Sequence, residues 1–330
     1  MLFLLLLLIV GPGRADERAA YQRWAASQMV VAHPEPDYHF VADIHARLAP
    51  LVHDRSGVVE PFVAGLTVEK RPVWAFRVSD PTRPVQQKMF VFGGIHALEW
   101  VGVESAFLFL EDMIRNPPPG VEVIVIPILN MDRRLVVEAD LLAGRRVYRR
   151  ANANMVDLNR DFAVNRESRA IWRHILPRRY ATSPGPLSQP ESQLIDRLAD
   201  QERFDVAVSM HCFGGYLYYP WSGLFERPPD REEFVEMGFV MKEAQDGRGY
   251  RVQQLSHWGF FFRALGSEID HLYGKYGTKA FLIEMTRSGY TLNPKTWSDP
   301  FRAYNPEDPE KHRRMGVQAL RALAWHISEP

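Results

Sequence analysis

Residues 88–115, KMFVFGGIHALEWVGVESAFLFLEDMIR, decide the fold. Lys88 to Gly93 is a short apolar run rich in aromatic and β-branched residues, the pattern of a buried strand. Two glycines then break it. From Trp100 to Arg115 the apolar residues recur at helical spacing, and the helix must stop before Pro117-Pro118-Pro119. A strand, a tight turn and a long amphipathic helix form the repeating unit of an α/β protein.

The same alternation extends outward. Val73–Val78, Val121–Leu129, Phe204–Met210 and Ala280–Met285 read as further strands. Phe40–Leu51 and Pro309–Ile327 read as amphipathic helices, and Ser188-Gln-Pro-Glu191 reads as a capping box opening a helix towards Asp200. The prediction is an α/β fold: a single domain with a mixed, largely parallel twisted sheet flanked by helices on both faces. No repeat, low-complexity tract or Pro/Gly linker divides residues 36–330.

The N-terminus stands apart. Leu2 to Val10 is an unbroken apolar run, too short for the roughly 20 residues of a membrane span. With Gly13 and Ala15 before Asp16 it fits a signal peptide over residues 1–15, although no Lys or Arg precedes the run. Residues 16–35, mostly polar, are expected to be a mobile lead-in to the domain at 36–330. No later stretch is long and apolar enough to span a membrane once the signal is removed; an uncleaved signal would remain as an anchor. A single cysteine, Cys212, excludes an intramolecular disulfide, so export without disulfides suits a bacterial periplasm or cell surface. Forty basic and forty acidic residues cancel, which gives no global charge argument for nucleic acid.

Four segments carry chemistry. In Gly93-Gly-Ile-His96-Ala-Leu-Glu99-Trp100 an apolar strand runs into a histidine, and a glutamate follows as the helix begins. Both side chains are good zinc ligands, although the pair alone is also common on protein surfaces. His211 likewise ends the apolar strand Val206–Met210. Two nitrogens and a carboxylate make the usual protein set of a catalytic zinc, leaving a coordination position open. The carboxyl ends of parallel strands converge on one crevice, where such sites are built. The Asn-rich segment from Tyr148 to Phe162 offers Asn159-Arg160, an amide and a planar fork of donors suited to a carboxylate. Finally, Glu284 interrupts an apolar strand, where burial raises a carboxyl pKa towards the range useful for acid–base work.

Together and in this order, these motifs resemble the zinc carboxypeptidase family from about residue 38 to residue 327. The resemblance rests on His96-Ala-Leu-Glu99-Trp100, on Asp157-Leu-Asn-Arg160-Asp-Phe162, on His211 and Glu284, and on the helix start Ser188-Gln-Pro-Glu191. It implies that His96, Glu99 and His211 bind Zn2+, one ion per chain. It implies that Arg150, nine residues before Asn159 as in the N/E branch, polarises the scissile carbonyl and stabilises its oxyanion. Asn159 and Arg160 would hold the substrate's terminal carboxylate. Glu284 would take a proton from the attacking water and deliver it to the leaving amine.

Several positions depart from the family pattern. Phe262 stands where a substrate-covering tyrosine is usual, Leu98 replaces an arginine of the digestive enzymes, and Phe213 replaces a frequent tyrosine. Ile269 aligns with the floor of the side-chain pocket and suggests an apolar or small terminal residue, while the flanking Glu268 and Asp270 leave a basic one open. The expected function is C-terminal exopeptidase action by a monomer on peptides or peptidoglycan stems with a free C-terminal carboxylate, secreted or in the periplasm. The alternatives are hydrolysis of another amide on a small carboxylate-bearing molecule, and a catalytically silent zinc-binding domain.

Overall fold

A computed structural model describes residues 14–286 and 298–328. The proposed signal peptide lies almost wholly outside the described residues. Eight strands form one sheet: β1 (Val59–Leu66), β2 (Pro72–Val78), β3 (Gln87–Gly93), β4 (Val121–Ile126), β5 (Val206–Cys212), β6 (Tyr216–Tyr219), β7 (Arg251–Gln254) and β8 (Lys279–Met285). Their order is β1-β2-β4-β3-β5-β8-β6-β7. The central pairs β4/β3, β3/β5 and β5/β8 are parallel, as is β6/β7; β1/β2, β2/β4 and β6/β8 are antiparallel. The expected mixed, largely parallel sheet is therefore present.

Ten α-helices are defined among the described residues. They are α1 (Arg14–Ser27), α2 (Val41–Asp54), α3 (Trp100–Arg115), α4 (Met131–Leu142), α5 (Trp172–Ile175), α6 (Pro190–Glu202), α7 (Arg231–Glu243), α8 (Glu268–Tyr276), α9 (Pro300–Tyr304) and α10 (Glu310–His326). The two-residue period of the strands divides the core. Met89 and Val91 of β3, Val206, Val208 and Met210 of β5, and Phe281 and Ile283 of β8 face the layer containing α2, α3 and α10. Phe90, Phe92, Ala207, Ala280 and Leu282 face the opposite layer, with Leu194 and Leu198 of α6 and Ile269 and Leu272 of α8. The apolar area on each face is what holds the layers together.

Two expectations are corrected. Residues 16–35 are not a mobile lead-in: α1 docks on α2 and β1, with Tyr21 fully buried against Trp74, Phe76 and His45. Its apolar stripe is only Tyr21, Trp24 and Ala25, at helical spacing in an otherwise polar segment, so composition concealed it. Farther on, Glu35 is fully buried and receives the guanidiniums of Arg146 and Arg302. The capping box at Ser188 also fails. The N-cap of α6 is Gln189, one residue later, because Pro190 takes the first helical position. An acid from elsewhere does the capping: Asp161 accepts from the Ser188 hydroxyl at 2.6 Å, from the Gln189 amide at 3.0 Å and from the Ser192 hydroxyl.

Candidate metal centre

Two adjacent parallel strand ends deliver the three candidate ligands, β3 His96 and Glu99, and β5 His211. β3 stops at Gly93, and Gly94 takes a left-handed φ of 68°, which turns the chain so that His96 points back under the sheet end. Glu99 immediately precedes α3, whose first turn lies very close to β5. A Cβ on Gly102 would stand 2.6 Å from the Met210 carbonyl oxygen, so only glycine allows this approach. The closeness places the Glu99 carboxylate where it accepts from the Cys212 amide at 3.1 Å. His211 comes from β5 itself.

The result is a buried cluster in which one donor atom from each of His96, Glu99 and His211 lies within 4.8 Å of the others. The two Nδ1 atoms are 3.1 Å apart. The Glu99 carboxylate lies 2.9 Å from Nδ1 of His96 and 3.0 Å from Nδ1 of His211. Both far nitrogens are tied to carboxylates: His96 Nε2 to Asp157 at 3.0 Å and His211 Nε2 to Glu268 at 2.8 Å. A ring that donates from Nε2 turns an Nδ1 lone pair towards the cluster, the arrangement in which carboxylates orient metal-bound histidines.

The cluster's electrostatics call for a cation. Burial lowers the His211 pKa, but hydrogen bonds that the ring donates to Glu268 and Glu99 overcome it and push the ring up to about 10. Glu99 is buried, which opposes ionisation, yet the facing His96 and His211 hold its carboxyl far below the usual range. The carboxylates of Glu99, Asp157 and Glu268 thus concentrate negative charge around the two imidazoles. The donor set of two imidazoles and a carboxylate fits zinc.

Glu284 and His211 are register partners on adjacent parallel strands, β8 and β5, and both point to the same face of the sheet. Burial first, and the Glu99 charge second, raise the Glu284 carboxyl to about 8. Its Oε2 is buried with no hydrogen-bond partner among the described residues. An unpartnered buried carboxylate oxygen beside a candidate metal cluster is costly as structure and useful as chemistry.

Arg150 joins the cluster through Asp157. Its Nε donates to Asp157 at 2.9 Å and its Nη1 to Glu99 at 3.1 Å. Burial works against its charge, but Asp157 and Glu99 outweigh that and keep it protonated. Asn159 is nearly buried, and its Oδ1 has no partner among the described residues. Arg160 donates to the Asn159 carbonyl and forms no ion pair among the described residues. Arg150, Arg160 and Phe262 line a cavity of about 460 Å³ beside the cluster. Ile269 does not line it: the side chain is fully buried in the core between α8 and the sheet. Asp270 is consumed by the amides of Ser222 at 2.7 Å and Gly223 at 3.0 Å, whereas Glu268 accepts from His211 through Oε1 and its Oε2 is buried with no hydrogen-bond partner among the described residues.

Sequence reasoning assigned no role to Asp157 or Glu268 as carriers of the histidine tautomers. Asp157 had a signal, an acid within a run of asparagines and arginines. Glu268 had only its place beside Ser267, the α8 cap, whose hydroxyl accepts from Asp270. Tyr304 is a further unforeseen neighbour. Phe213 packs on its ring at 4.9 Å, and its hydroxyl lies 3.5 Å from that of Tyr148 at the cavity wall.

The family model described as zinc carboxypeptidase matches residues 44–302. Carboxypeptidase O of Bos taurus is 23% identical over 263 residues, covering 73% of this chain and 65% of that protein. Carboxypeptidase A4 of Mus musculus is 22% identical over 269 residues, covering 77% of this chain and 63% of that protein. The chain thus spans a little under two thirds of the length of these relatives. Bovine thrombin-activatable fibrinolysis inhibitor, solved with tick carboxypeptidase inhibitor, superposes with a TM-score of 0.68 at 20% identity, covering 88% of this chain and 97% of that one. Carboxypeptidase A from Helicoverpa armigera gives 0.65 at 18% identity, covering 93% and 79%. Both likenesses concern the fold.

Proposed function

Because the chain belongs to the zinc carboxypeptidase family, we propose that it is a zinc-dependent exopeptidase that hydrolyses the C-terminal amide bond of peptides or peptidoglycan stem peptides. The observation that carries this reading is the convergence of His96, Glu99 and His211 beside Glu284, whose Oε2 has no hydrogen-bond partner among the described residues. His96, Glu99 and His211 would hold the ion. A bound zinc supplies acidification of a water and polarisation of a carbonyl.

The remaining work belongs to the chain. Glu284 accepts the proton of the attacking water and passes it to the departing nitrogen, for which its raised pKa suits it. Arg150, held protonated by two carboxylates, places a guanidinium against the developing oxyanion. Asn159 and Arg160 grip the terminal carboxylate, Arg160 with no competing ion pair among the described residues. Asp157 and Glu268 keep the two imidazoles oriented.

The apolar run at residues 2–10 supports export to the periplasm or the exterior, where the enzyme would act as a monomer. Among the described residues no helix is long and apolar enough to cross a membrane. The test is release of single residues from a mixed set of peptides and muropeptides by purified protein. Release should stop on chelation, return with zinc, and vanish for Glu284→Gln and for C-terminally amidated substrates. Zinc bound at one equivalent with no release from any substrate would refute the exopeptidase reading.

A further inference from the structure

The cavity beside the metal cluster is walled by three guanidiniums, those of Arg150, Arg160 and Arg178, against a single acid, Asp157. Two of these four groups are already committed. Asp157 is held by His96 and Arg150, and Arg150 by Asp157 and Glu99. Arg160 is the residue proposed above to take the terminal carboxylate. Arg178 is left over. It is exposed, it reaches the cavity from the segment between α5 and α6, and it makes no hydrogen bond or ion pair among the described residues. Its sequence neighbour Arg173, by contrast, donates to the Ser168 carbonyl at 3.0 Å.

Resting on the exopeptidase reading, we propose that Arg178 selects substrates with a second carboxylate, that is, a C-terminal residue with an acidic side chain. The terminal carboxylate occupies Arg160 and Asn159, and the side-chain carboxylate meets Arg178 across the cavity. The remaining wall disfavours a cation, and Met155, Val156, Ala181, Pro184 and Phe262 can cover the methylenes that carry the side-chain carboxylate. Thr182 adds a hydroxyl, the Ser183 hydroxyl being held by the Gly185 carbonyl and Arg166, and no unpaired acid lines the space. Ile269 lies in the core behind it and contributes no apolar floor. At about 460 Å³ the cavity is within the size range of ligand sites and admits one amino-acid residue. An attraction at an exposed guanidinium is screened, so the effect does not exceed the upper end for exposed charge pairs and weakens with salt.

The zinc-loaded full chain is assayed on N-acylated dipeptides ending in Glu, Gln, Asp or Asn, which pair near-isosteric acids and amides. We expect kcat/KM for Glu over Gln to be raised up to about fivefold at low salt, to shrink with added salt, and to fall towards one in Arg178→Gln. A Glu/Gln ratio near one in the wild-type protein overturns the proposal, as does a preference that survives in Arg178→Gln. Binding of N-acetyl-L-glutamate against N-acetyl-L-glutamine, followed by calorimetry, decides the same question without turnover. Preferential glutamate binding that depends on Arg178 supports the charge preference even if no peptide is cleaved, whereas equal binding overturns it. Absence of cleavage alone would count against the exopeptidase reading.

Discussion

At the scale of single residues, the centre is a set of side chains whose partners leave one atom free. Glu268 shows the principle: Oε1 accepts from His211, and the acid is fully buried. Replacing it with glutamine presents an amide that can donate to the ring and favour the wrong tautomer. Glu268→Gln should therefore weaken zinc binding by about 10–100-fold, measured by competition with a chromogenic chelator; unchanged affinity would remove its positioning role. Glu284 gives a pH dependence of defined sign. Its carboxyl is raised from 4.5 to about 8 in the metal-free fold, so folding takes up a proton. The stability this contributes is complete below about pH 4.5 and is lost as pH rises through about 8. Denaturant titrations of metal-free protein should show that decline, and Glu284→Gln should flatten it. The candidate ligands His96 and His211, and Glu284 beside them, could be singled out in the sequence because each follows an apolar strand or sits within one. Glu268 was not, since its task depends on a histidine 57 residues away.

At the scale of elements, legibility followed length and pattern. β3, β5 and β8, with their long buried runs, and α3 were readable within a residue or two. The outer strands were not. β6 and β7 have four residues each, and β1 contains Pro61 and alternates irregularly with partly exposed positions. The contact between α3 and β5 is what brings Glu99 to His211. Gly102→Ala adds a carbon 2.6 Å from a backbone oxygen, which cannot move aside as a flexible side chain would. We expect a loss of about 1–3 kcal/mol in stability together with weaker metal binding. Wild-type thermal stability and zinc affinity in this variant would show that the interface can relax. Helix α1 makes the opposite point, that a polar segment can be structural. Tyr21→Ala should cost about 3 kcal/mol or more, read from denaturant midpoints, because it empties a site among Trp74, Phe76 and His45. No loss of stability would mean that α1 is dispensable.

At the scale of the molecule, the two cores lie on opposite faces of one sheet, and the centre sits where the central parallel strands end. Sequence patterning established that architecture because burial of both faces imposes unbroken apolar strands. It could not establish the shape of the cavity, whose walls come from loops such as residues 178–184 that carry no periodic signal. His96 and His211 are 115 residues apart along the chain, and the protein has one cysteine. A cation held by both is therefore a removable cross-link closing a long loop, the role a disulfide would otherwise play. In the chain-entropy account, closing a loop on the order of 100 residues stabilises by roughly 4–5 kcal/mol. Chelation should speed unfolding and proteolysis of the whole chain, while a thiol reductant should change neither rate. The persistence of this fold would then follow the free zinc of its surroundings and be indifferent to their redox poise.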